Sequence, residues 1–83
     1  MSYENSEYLA KDCMVSAVQF KQNSLRAWFS PEGKIPNSEN QKAVDKLRGE
    51  INDIREHYKF HFDVEIDVAF TPFESPEFGN YTA

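Results

Sequence analysis

The chain has 83 residues, 40% of them apolar and 14% aromatic, with a formal net charge of −5. That is enough for one small domain with a core, which excludes a disordered acidic tail. The acidic balance also argues against direct binding of nucleic acid, whose phosphates require clustered Lys and Arg. No apolar run reaches membrane-span length, the start Met1-Ser2-Tyr3-Glu4-Asn5 lacks the basic and hydrophobic parts of a signal peptide, and Cys13 is the single cysteine, so a cytoplasmic protein without disulfides or thiolate clusters is expected.

Residues 1–12 mix polar and aromatic types, with Tyr3, Tyr8 and Leu9 able to anchor a short helical turn or an arm. From Cys13 to Phe20 the chain is mostly apolar with strand propensity. Lys21-Gln22-Asn23-Ser24 then reads as a turn and Leu25 to Ser30 as the returning strand, so a β-hairpin is expected over residues 13–30. Hairpin parity would place Ser16, Val18 and Phe20 with Leu25, Ala27 and Phe29, leaving Arg26 and Trp28 on the other face. Trp and Arg are enriched at binding hot spots, which makes Trp28 and Arg26 a candidate anchor. Cys13 reads as a small packed hydrophobe.

Pro31-Glu32-Gly33-Lys34-Ile35-Pro36 is a loop by composition. Ser38 followed by Gln41 has capping-box spacing and starts a helix expected over residues 38–58, with Val44, Leu47, Ile51, Ile54 and Tyr58 as its apolar stripe. Gly49 lies off that stripe. The period then shortens to two. Phe60, Phe62, Val64, Ile66, Val68 and Phe70 alternate with His61, Asp63, Glu65, Asp67 and Ala69, which predicts a strand over 59–70 with three carboxylates on one face. Residues 71–83, with Pro72 and Pro76, read as an extended arm docking through Phe73, Phe78 and Tyr81. The expected fold is α+β, a single ββαβ domain: a hairpin, one amphipathic helix and a long third strand, the helix on one face of a small antiparallel or mixed sheet.

Up to Lys59 the chain carries nine acidic and nine basic residues. The whole negative excess (Asp63, Glu65, Asp67, Glu74, Glu77) lies beyond it. Same-face residues of a strand are about 6.6 Å apart, close to the spacing of backbone phosphates. In size and charge pattern the chain is similar to small acidic phage anti-restriction and anti-CRISPR inhibitors. That similarity implies a non-enzymatic inhibitor whose Asp63, Glu65 and Asp67 imitate phosphates on a basic nucleic-acid-binding surface of its target. Glu74 and Glu77 would extend the track, and Trp28 and Arg26 would add an anchor. The expected partner is a protein with such a surface, for example a nucleic-acid-processing or defence complex, with no membrane and no direct nucleic acid. The rival reading is a structural or adaptor module that self-associates into a homodimer through its sheet edge.

No catalytic residue, metal or cofactor is expected. Carboxylates spaced along a strand converge poorly on one ion, and the sequence shows no glycine-rich phosphate loop and no nucleophile elbow. No helical His-x-x-x-His pair is read either, His61 falling in the strand. His57 and His61 are taken as structural or exposed.

Overall fold

No glycine or proline occurs before Pro31, and nothing in that stretch forces the backbone out of a helix. In the computed structural model, which describes residues 3–35 and 38–77, it forms helix α1, Tyr3–Arg26. The expected hairpin over 13–30 is therefore wrong. A short apolar run such as Cys13 to Phe20 fits a strand or a helix equally well on periodicity, and Met14, Val18, Lys21 and Leu25 are also spaced to share one helical face. Lys21 to Ser24 continues the helix because Leu25, one turn past Lys21, is fully buried. Tyr8 and Leu9, expected on a short helical turn or an arm, sit within the long helix α1 and are exposed.

Beyond α1 the chain turns through two short hydrogen bonds, Trp28 N–H to the Leu25 carbonyl and Phe29 N–H to the Arg26 carbonyl, both 3.1 Å. A loop follows in which Gly33 takes φ 76°. That left-handed geometry suits glycine. Ile35, fully buried, closes this end of the molecule.

Helix α2 spans Ser38–Phe62. It begins at the expected serine, with Gln41 donating from Nε2 to Asp45 Oδ1 at 2.8 Å. Val44, Ile51 and Tyr58 are buried and Leu47 and Ile54 half-buried, so the stripe read from the spacing packs. It packs on α1 rather than on a sheet, meeting Val18 and Leu25 in one cluster with Ile35 and Ile66. Each fully buried aliphatic side chain contributes about 1.5–3 kcal/mol. Gly49 has open space where a Cβ would sit, so no close backbone approach explains it.

The third expected strand is also absent. α2 continues through Lys59, Phe60 and His61 to Phe62, and ends at Asp63, whose φ of 57° is left-handed and whose N–H bonds the Lys59 carbonyl at 2.8 Å. Residues 64–71 are irregular. Of the alternating apolar set, Ile66 is buried and Phe62 and Val68 half-buried, while Phe60 (83% exposed), Val64 and Phe70 face outward. A strand is a collective object: its carbonyls and amides need a neighbour to pair with. With residues 13–26 helical, no strand among the described residues offers one. The fold is a two-helix hairpin, not α+β.

Side chains of the helices bind the tail's backbone instead. Arg55 Nη1 donates to the Val68 carbonyl (3.0 Å), Gln22 Nε2 to that of Ala69 (3.0 Å) and Arg48 Nε to that of Phe73 (2.8 Å). The tail then makes a 3-10 turn over Pro72–Glu74, where Phe73 packs against Phe29, ring centres 4.7 Å apart and planes tilted 47° from one another. Phe73 thus docks on the domain. Phe78 and Tyr81 lie outside the described residues. No helix among the described residues is long and apolar enough to cross a membrane.

Candidate partner-binding face

The tail closes one side of the hairpin around a buried ion pair. Arg55 meets Glu74 through Nε to Oε1 (3.1 Å) and Nη2 to Oε2 (3.5 Å), both side chains almost fully buried, and the Phe70 ring lies 3.9 Å from the guanidinium carbon. Glu74 also accepts from Gln22 Nε2 (2.9 Å) and from the Thr71 N–H (2.7 Å). Arg48, about two helical turns before Arg55, is pulled below its ordinary pKa by burial, with Asp45 opposing. A cavity of about 210 Å³ lies between these arginines and Thr71. The groups around it hold the tail in place.

Among the described residues the other side of the hairpin carries no such strap. On α1, Leu9, Cys13, Ala17 and Phe20 recur at intervals of four, four and three, a helical stripe distinct from the Met14, Val18 and Leu25 stripe that meets α2. Leu9, Asp12, Cys13, Ala17 and Phe20 line one depression, and Cys13, Met14 and Ala17 line a second with Asp53, Ile54 and His57 of α2. His57 borders a third with Glu56 and Phe60. Shared residues make these one continuous face. Phe20 is 72% exposed and Phe60 more so, one at each end of this run of depressions. Asp12, Asp53 and Glu56 stand on this face, and Lys21 at its edge is engaged with Glu50 at 3.5 Å. The face is apolar with an acidic margin.

The residues expected to form an acidic track are not brought together as a ladder. Asp63, Glu65 and Asp67 are exposed, but on irregular chain rather than on one face of a strand, and Glu65 bonds Lys59 Nζ at 3.1 Å. Glu74 is removed from any track by burial against Arg55. Glu77 is exposed, its N–H on Ser75 Oγ. Arg26, in the last turn of α1, and Trp28, just beyond it, are both exposed, Trp28 at 38%. They do not share a strand face, since the hairpin that paired them does not form. Cys13 is exposed rather than packed, and the edge-pairing reading of a homodimer loses its sheet.

What the sequence reading missed is the Leu9, Cys13, Ala17, Phe20 stripe. The signal is the 3.6 period, which a short helical turn or arm over residues 1–12 followed by a strand from Cys13 to Phe20 divides between two elements. Among the described residues no group of three His, Cys, Asp or Glu side chains is placed to hold a metal ion. No family model, no curated protein and no solved structure matches the chain.

Proposed function

We propose that the chain is a non-enzymatic binding protein that takes a basic, amphipathic partner segment on the Leu9, Cys13, Ala17, Phe20, Ile54 and Phe60 face. The observation that carries this reading is the apolar face that the described residues leave uncovered on the side away from the tail, with Asp12, Asp53 and Glu56 on it. An apolar stripe bordered by carboxylates matches a helix with one apolar face and Lys or Arg beside it, laid along the groove. Burying Phe20 and Phe60 supplies affinity, about 1.5–3 kcal/mol for each ring fully covered, and the acids supply orientation and rate. A labelled Lys/Leu amphipathic peptide should bind the wild type and lose at least tenfold in affinity against Phe20→Ser with Phe60→Ser. Equal binding of a Glu/Leu peptide with the same apolar face would refute the electrostatic half of the reading.

A second reading keeps the acidic partner logic but moves it to the tail: Asp63, Glu65 and Asp67 imitating phosphates on a basic nucleic-acid-binding surface, as in a defence complex. It is favoured by the exposure of all three carboxylates on one short segment. Its test is competition. Nucleic acid and this protein should exclude one another from the target, and Asp63→Asn, Glu65→Gln, Asp67→Asn should fail to displace the nucleic acid.

A further inference from the structure

Because α2 continues past Tyr58 to Phe62, His57 and His61 lie four residues apart on unbroken helix. Residues so spaced project from the same side, one turn above the other. Both are exposed, and their rings stand nearly parallel, centres 5.8 Å apart and planes 15° from one another. Phe60 meets the His61 ring edge-on at 5.4 Å. We propose that His57 and His61 chelate a borderline divalent transition-metal ion, Zn²⁺, Ni²⁺ or Cu²⁺, as a two-point helical site with open coordination positions.

The spacing is the one by which a helix presents two imidazoles to zinc. Zinc holds each nitrogen at about 2.0–2.1 Å, so the two ligating atoms must lie within roughly 4.2 Å of each other. Rings with centres 5.8 Å apart reach this by leaning their outer edges together, a side-chain rotation that exposed residues make freely. Among the described residues no third donor is placed to complete the set. The two imidazoles by themselves leave the remaining positions to water or to a further donor, such as one from a bound molecule, so the pair forms an open, exchangeable site rather than a structural staple. Imidazole pairs select borderline metals over hard Ca²⁺ and Mg²⁺, which prefer oxygen. His57 also lines the apolar face beside Cys13 and Asp53, so an ion here stands at the margin where a partner would dock. The chelate does not depend on that docking.

Calorimetric titration of the full chain with ZnCl₂ or NiCl₂ in a non-coordinating buffer should show one site per chain, and CaCl₂ and MgCl₂ should give no heat of binding. His57→Ala and His61→Ala should each weaken the site at least tenfold, because each removes half of the chelate, while Cys13→Ser should leave it unchanged. The decisive variant is Lys59→His with His61→Ala. It preserves the number of histidines but turns one to a different side of the helix, and its affinity should fall as in His61→Ala alone. Binding by this variant at wild-type strength, loss of the site in Cys13→Ser, or no saturable binding by the wild type would each overturn the proposal. Helicity measured by circular dichroism, expected to be unchanged because the substituted histidines are exposed, separates lost ligation from lost fold.

Discussion

Replacing Glu74 tests the structural logic of this protein most directly, because one carboxylate bonds Arg55, Gln22 and the Thr71 N–H. Glu74→Ala leaves the Arg55 guanidinium buried with only the Val68 carbonyl and the Phe70 ring as partners. Breaking one side of a buried ion pair costs about 3–5 kcal/mol, chiefly through the charge left uncompensated. A domain of this size has a total stability of roughly 4–12 kcal/mol, so the loss is a large part of it. Glu74→Gln, which keeps an acceptor for Arg55 but leaves the buried charge uncompensated, should recover only part of that loss. Arg55→Met with Glu74→Leu, which removes both charges and keeps apolar volume, should recover most of the loss. Urea unfolding followed by circular dichroism measures all three. Limited proteolysis between residues 63 and 71 reports whether the tail is released before the helices unfold. A loss below about 1 kcal/mol in Glu74→Ala, or a double variant no better than the single, would refute the claim that this ion pair holds the tail.

Ile51→Ala should cost about 2–5 kcal/mol, and clearly more than Leu47→Ala, because Ile51 is fully buried and Leu47 half-buried; thermal melts of the pair rank them. Gly49→Ala should stabilise by about 1 kcal/mol, since the added methyl meets open space on an exposed helical position, and an unchanged or lowered denaturation midpoint would contradict that. Asp63→Gly should raise stability by about 1 kcal/mol, by relieving the left-handed backbone at φ 57°, whereas Asp63→Val at the same position should lower it; chemical denaturation of both gives the sign.

Helix α2 was legible in the sequence because everything that defines it is local: a serine at the start and an apolar residue every three or four positions from Val44 to Tyr58, a spacing only one backbone period can bring onto one face. The net charge and its concentration after Lys59 were likewise properties of composition. The rest depended on what lies next to what. Cys13 to Phe20 could join a sheet or a helix, and the burial of Val18 and Leu25 against α2 decided for the helix. The alternation from Phe60 to Phe70 was real, but period two specifies a strand only where another strand waits beside it. Here Arg48, Arg55 and Gln22 take the tail's carbonyls, and Glu74, which composition had counted as surface acid, closes the buried ion pair. The His57 and His61 pair came from the same source. Its spacing is in the chain, but whether four residues mean one face or two depends on where α2 stops, and in the tertiary structure it runs on through His61 to Phe62 rather than breaking for a strand.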